Sequence, residues 1–201
     1  YTLAMNTPPG ELEMVFVDLK NEDLVPFADL PHTSAMALSL EEAEETIADV
    51  YARKSARVRA GRAKYKRLVL VIDELAEMSR SKAVMYQLAS ILAIGRSKSI
   101  NVLAATQKPT AGIVGSVAKA NFTARLVGKV MSPTDAEVAA GISGTQAHFL
   151  PGKGSFLFVH GDQTNRFQAY LQDEINLDVI RDRWMVQAVM LLDREQVAGG
   201  R

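Results

Sequence analysis

Unbroken apolar runs, rather than alternating ones, mark the strands of this chain. Leu68-Val69-Leu70-Val71-Ile72 holds no polar residue, the pattern of a strand buried on both faces of a parallel sheet. Glu13–Asp18 and Ile100–Ala105 follow the same design, and further strands are predicted at Ala124–Val130, Ser155–His160 and Arg166–Leu171. Helical spacing appears between them. Ser39-Leu40-Glu41-Glu42 is a capping box that opens a helix burying Ala43, Ile47, Val50 and Tyr51 on one side. Apolar helices are predicted from about Ala83 to Gly95 (Met85, Leu88, Ala89, Leu92) and at Pro133–Ala140. A last amphipathic helix spans Asn176–Leu192, with Leu177, Ile180, Trp184, Ala188 and Leu191 on its apolar face. Tyr1–Met5 reads as the tail of a helix, and residues 21–38, interrupted by Pro26 and Pro31, read as irregular. Strands alternating with helices predict an α/β sheet with right-handed crossovers.

Composition narrows the chemistry. Hydrophobic residues make up 48% of 201 positions and charged residues 23%, an ordinary globular balance that supports one full-sized core. Cysteine is absent, which removes disulfides and thiolate chemistry. His32, His148 and His160 lie too far apart in sequence to suggest a metal site. Formal net charge is zero, so any contact with nucleic acid must be local. The most conspicuous local charge is a basic run that begins in the Ser39 helix and continues through Arg62, Lys64, Lys66 and Arg67. A nucleic-acid patch and a solvated helix end leading into a loop both account for it, the second more simply.

Two polar groups stand at strand ends. Asp73-Glu74 closes the Leu68–Ile72 run, and Thr106-Gln107 closes the Ile100 run. Adjacent acids after a buried strand are the layout of a Walker B strand, in which the first acid orients Mg²⁺ and the second polarises an attacking water. They are also what a helix N-terminus attracts. Gln107 alone reads as a loop residue; beside Asp73-Glu74 it completes a nucleotide site at the carboxyl edge of the sheet. The phosphate cradle Gly-x-x-x-x-Gly-Lys-[Ser/Thr] is absent from the sequence; Gly152-Lys153-Gly154-Ser155 comes closest but lacks the first glycine and the following helix.

Several blocks, in order, resemble the motor domain of the FtsK/SpoIIIE family, hexameric RecA-like ATPases that translocate double-stranded DNA. Met14–Lys20 is similar to that family's strand ending in Asp-Pro-Lys, with Leu19 in place of Pro, and Leu30-Pro31-His32 resembles its Ile-Pro-His. Val71-Ile72-Asp73-Glu74-Leu75-Ala76-Glu77 resembles its Walker B. Gly95–Pro109 resembles its Gly/Ala-Arg-x-x-Gly-Ile-His-x-x-x-Ala-Thr-Gln-Arg-Pro, with Ser99 for Gly and Lys108 for Arg. Lys119–Arg125 and Leu150–Gly154 resemble two later blocks.

The resemblance implies a RecA-like P-loop NTPase, a mostly parallel sheet flanked by helices and lacking the first P-loop strand. Residues 1–193 would form the partial motor domain and 194–201 a tail or linker. The chain would begin just past the Walker A loop, so the fragment alone would be inactive. ATP and Mg²⁺ are the implied cofactors. Asp73 would orient Mg²⁺, Glu74 would act as general base, Thr106 and Gln107 would face the nucleotide with Gln107 sensing its γ-phosphate, and Arg96 or Arg125 would be an arginine finger reaching a neighbour's nucleotide. Arg80, Lys82 and Lys119 would grip duplex DNA from pore loops. The implied assembly is a homo-oligomeric, hexameric ring in the cytoplasm, with room for a membrane anchor in the region before Tyr1. The same machinery would serve a conjugative coupling protein or a protein-secretion ATPase, and a non-hydrolysing structural subunit would keep the fold alone.

Overall fold

The computed structural model describes residues 1–61, 63–107, 121–170 and 176–185. Four parallel strands, β1 (Leu12–Val17), β2 (Thr33–Ala37), β3 (Arg67–Ile72) and β4 (Ile100–Ala104), form a sheet in the order β2-β1-β3-β4. Alternation along β1 and β3 assigns their side chains to two cores. Val15, Val17, Leu68, Leu70 and Ile72 face helices α2 (Leu40–Arg59) and α4 (Lys82–Ile94). Leu12, Met14, Phe16, Val69 and Val71 face α1 (Thr2–Asn6), Leu30 and the helical residues 178–185. Both faces of β3 are covered, as its apolar run predicts. On β4, Leu103 is 58% exposed, as its position at one side of the sheet allows.

Strand β2 lies inside the stretch that reads as irregular from the sequence. It has only five residues and follows Pro31, so its own pattern is weak; pairing with β1 creates it, beginning with the Met14 N–H to His32 carbonyl bond of 2.7 Å.

Helix α2 begins as the capping box predicts: the Ser39 hydroxyl accepts from the Glu42 N–H at 3.2 Å, and the Glu42 carboxylate reaches back to the Leu38 N–H at 2.7 Å. Ala43, Ile47 and Val50 are buried. Tyr51 is half-buried, and the fourth buried position is Lys54. Its ammonium donates to Ser90 Oγ at 2.8 Å and sits 4.1 Å from the centre of the Tyr51 ring, so the charge enters the core with partners.

The late strands depart from the expected single sheet. β5 (Ala124–Val127), β6 (Ser155–His160) and β7 (Gln163–Gln168) form a separate antiparallel sheet, packed with helix α5 (Pro133–Ala140) around Val127, Ala136, Ala140, Leu157 and Val159. The connection between β6 and β7 accounts for the antiparallel pairing of those two strands. Only Gly161-Asp162 lies between them, with Gly161 at φ +63°; a two-residue turn joins antiparallel neighbours, whereas a parallel crossover needs a dozen residues or more. The hairpin also starts β7 at Gln163, ahead of the expected Arg166. The end of the last predicted helix (residues 186–192), the tail 194–201, and positions 62, 108–109, 119 and 171 lie outside the described residues. Among the described residues no helix is long and apolar enough to cross a membrane.

Candidate functional site

Parallel register brings the strand ends to one level. Val17 pairs with Ile72 and Ile72 with Ala104, so Asp18, Asp73 and Ala105 leave the sheet side by side. Backbone bonds hold them there: Asp73 N–H to the Val17 carbonyl (3.1 Å), Ala105 N–H to that of Ile72 (2.8 Å), and Leu75 N–H to that of Ala105 (2.8 Å). The predicted convergence of Asp73-Glu74 with Thr106-Gln107 is present.

Glu74 does two jobs at once. It caps the short helix α3 (Leu75–Met78) by accepting from the Ala76 N–H at 3.2 Å. The same carboxylate accepts from the Thr106 hydroxyl and, at 3.0 Å, from the Gln107 N–H. Only 7% of Glu74 is exposed. Burial pushes its carboxyl up, but the hydrogen bonds from Thr106, Gln107 and Ala76 outweigh burial and hold it below the ordinary value. Glu74 is therefore an ionised, oriented acceptor. The helix-capping reading of the acidic pair holds for Glu74, and the same carboxylate faces the second strand end.

Asp73 behaves in the opposite way. Burial raises its carboxyl, the Lys20 ammonium lowers it, and the charges of Asp18, Asp23 and Glu74 add to the rise. Lys20 lies 3.9 Å from Asp73. A carboxylate in a field of other acids, with one facing ammonium, favours an added cation. Among the described residues no group of three or more His, Cys, Asp or Glu is placed to hold a metal, so a cation here would be held through Asp73 and a ligand's oxygens. That is how Mg²⁺ is bound beside phosphates, and the donor set fits it.

Lys20 is the residue whose role the sequence left unassigned. It is placed by Asp18, which is fully buried and accepts three backbone N–H bonds, from Lys20 (3.2 Å), Glu22 (3.1 Å) and Leu24 (2.9 Å). These bonds curl the chain after β1 back over the sheet edge. The signal available was the Asp-x-Lys spacing at a strand's carboxyl end.

The basic candidates separate. Arg80 pairs with Glu77, and Lys82 is exposed in the first turn of α4, where Ser81 provides the cap; both are on the side of the sheet that carries Asp73. Lys119 lies outside the described residues. Arg96 is exposed in the single helical turn Gly95–Lys98 that precedes β4. It is at the amino edge, about 17 Å from the carboxylates for a five-residue strand, and is not brought to Asp73 or Glu74 of its own chain. Arg125 is committed to structure: its guanidinium donates to the Val138 and Ala139 carbonyls (3.5 and 3.2 Å) at the end of α5, and burial lowers its pKa.

His32 is 1% exposed, bonded through Nε2 to the Thr7 carbonyl at 2.8 Å and edge-on to Trp184, and burial lowers its pKa. Trp184 donates to the Ala4 carbonyl at 2.7 Å in the core. Both are packing residues.

No family model matches the chain. Over 210 residues it is 28% identical to the DNA translocase FtsK of Staphylococcus epidermidis, an alignment covering 89% of this chain and 26% of that protein. The chain thus spans about a quarter of the length of the curated relatives it matches. Among solved structures, the pCW3 conjugation coupling protein TcpA with ATPγS superposes with a TM-score of 0.69 at 22% identity, covering 81% of this chain and 53% of that one. The cytoplasmic domain of the Thermomonospora curvata type VII secretion ATPase EccC gives 0.71 at 22% identity, covering 90% and 25%. The sequence match and the shared architecture together make this chain a homologue of the FtsK DNA translocases, built on the RecA-like P-loop ATPase fold.

Proposed function

We propose that residues 1–193 are the Walker B and sensor portion of an ATP-driven motor that moves double-stranded DNA. One observation carries the reading: at the carboxyl edge of a parallel sheet, Glu74 is fixed by Thr106 and Gln107 of the neighbouring strand end while Asp73 stays beside it, faced by the Lys20 ammonium. A scaffold needs no such arrangement. A motor needs one acid for Mg²⁺ and one for water, and a coupling of both to the strand that senses the γ-phosphate. The homology to DNA translocases supports duplex DNA as the cargo.

In this reading ATP binds with Mg²⁺, which would neutralise charge developing on the transferred phosphoryl group. Asp73 would hold the ion, and Glu74 would orient the attacking water through the oxygen that faces Gln107. Gln107 would report the γ-phosphate. The position of Arg96, far from its own chain's acids, supports a role across a subunit boundary in a hexameric ring; Arg125, occupied at the end of α5, serves that role poorly. Arg80 and Lys82 would meet DNA phosphates without reading sequence. Fold likeness to the coupling protein and the secretion ATPase supports a second reading, the same engine with another cargo.

The test is ATP hydrolysis by the full-length protein, with and without duplex DNA, beside its Glu74→Gln variant. Stimulation by DNA that disappears in the variant is the expected result. Hydrolysis indifferent to DNA would transfer the engine to another cargo, and no hydrolysis from the assembled protein would reduce it to a structural subunit.

A further inference from the structure

Opposite the carboxylates, the amino edge of the parallel sheet gathers cations from two distant segments. Every charged residue from Val50 to Ile72 is basic. Some of them are turned inward. Arg53 pairs with Glu13 and Asp49, and Lys54 is bonded to Ser90. Arg57 donates to the Lys98 and Ser99 carbonyls at 2.8 and 3.3 Å, and Lys98 Nζ returns a bond of 2.8 Å to the Gly61 carbonyl. These bonds tie the end of α2 to the turn before β4 and form an open cleft of about 460 Å³, with Lys64, Tyr65, Ser97 and Lys98 in its walls.

The remaining cations point outward. Arg59, Lys64, Lys66, Arg67 and Arg96 are exposed, and among the described residues none has a carboxylate within 4.0 Å. A helix C-terminus explains a cation in its last turn, such as Arg59. It does not explain Lys64, Lys66 and Arg67, which come after the helix, or Arg96, which comes from another part of the chain. Lys66 also acts on the Glu13 carboxylate at longer range, but the convergence of cations without a close carboxylate in a molecule of zero net charge calls for an anion of extended, regular charge, and a phosphodiester backbone is that anion. Strandedness follows from the aromatic content. Proteins that hold single strands offer exposed rings for base stacking; here Tyr65 is half-buried, covered by the Arg57 guanidinium at 5.0 Å and bonded to the Arg57 carbonyl.

We propose that the amino edge is a second duplex-DNA contact, separate from the Arg80 and Lys82 side of the sheet. The inference rests on the DNA-motor reading. It adds a surface that grips phosphates outside the nucleotide edge.

The test is duplex-DNA affinity of the full-length protein by fluorescence anisotropy across a salt series. Arg59→Gln/Lys64→Gln is compared with Arg80→Gln/Lys82→Gln and with the unmodified protein. Loss of two phosphate contacts should flatten the salt slope by about 1.8 and weaken binding roughly 30-fold near 0.15 M salt. The thermal midpoint should move little, because both residues are exposed and a solvent-screened charge at a helix end, such as that of Arg59, contributes only weakly. Unchanged affinity and slope in Arg59→Gln/Lys64→Gln, with loss confined to Arg80→Gln/Lys82→Gln, overturns the inference and leaves the motor intact. An altered oligomer in sedimentation with unchanged DNA affinity also overturns it, and assigns the edge to a neighbouring subunit. Absence of duplex binding by the unmodified protein sinks the motor reading and this inference with it.

Discussion

Replacing Glu74 with glutamine keeps the shape of the side chain and removes one acceptor and the charge. In the native carboxylate one oxygen accepts from the Ala76 N–H and the Thr106 hydroxyl, and the other from the Gln107 N–H. Whichever way the amide turns, its NH₂ faces a backbone N–H, of Ala76 or of Gln107. The loss is a charge-assisted bond, about 1.5–3 kcal/mol. Gln107 is exposed and water can satisfy its N–H, so we expect about 2 kcal/mol at neutral pH. With a urea slope of about 2 kcal/mol/M, the unfolding midpoint should fall by about 1 M.

The pH dependence has a definite sign. Glu74 is held below its ordinary value of 4.5 in the folded chain. Its stabilisation is fully present above 4.5 and is lost as pH falls from there through the folded value. Urea unfolding followed by circular dichroism at pH 7 and at successively lower pH should therefore show the gap between the native protein and Glu74→Gln closing. Coincident midpoints at pH 7, or a gap that does not change with acid, would refute the assignment of Glu74 as a clamped anion.

Asp18→Asn places an amide NH₂ against the N–H of Lys20 or, turned the other way, against those of Glu22 and Leu24. It should cost about 2 kcal/mol in urea unfolding, and amide exchange should quicken between residues 20 and 24; unchanged exchange would count against Asp18 as the anchor of Lys20. Gly141→Ala should lower the thermal midpoint, because the residue sits at φ +74° and a Cβ would come 2.5 Å from the Arg125 guanidinium. About 1–3 kcal/mol is expected, and an unshifted midpoint would remove Arg125 from the end of α5. Trp184→Phe deletes the bond to the Ala4 carbonyl and should destabilise by about 1–2 kcal/mol in chemical unfolding. Since Trp184 is the sole tryptophan, its fluorescence in the native protein should be that of a buried ring; a solvent-like emission would contradict the packing of residues 178–185 on α1.

Legibility followed the strength of the local signal. The runs at Met14–Val17 and Leu68–Ile72 are apolar on both faces, as a covered parallel strand requires, and the capping serine Ser39 starts its helix by a bond to the residue three positions on; the Ser81 cap of α4 was not read from the sequence. The pair Asp73-Glu74 and the Thr106-Gln107 dipeptide can be placed on one edge from the order of residues alone, because parallel strands share a direction. Strand β2 and Lys20 were not legible in the same way. Each depends on a partner outside its own local pattern: Thr33–Ala37 is a strand because β1 offers its edge, and Lys20 reaches Asp73 because buried Asp18 bends the chain. The antiparallel pairing of β6 with β7 hangs on a two-residue turn whose consequence is topological rather than compositional. Nor could the sequence divide the arginines. Arg96 and Arg125 have the same charge, and only packing shows that one ends a helix while the other stands exposed at the far edge.

The sequence by itself determined the class of fold, the strand ends that carry chemistry and the family likeness, because those properties reside in hydrophobic period and in residues adjacent along the chain. Tertiary structure decided the electrostatics. It set Glu74 low and Asp73 high although they are neighbours, since hydrogen bonds and burial act through space on each carboxylate separately.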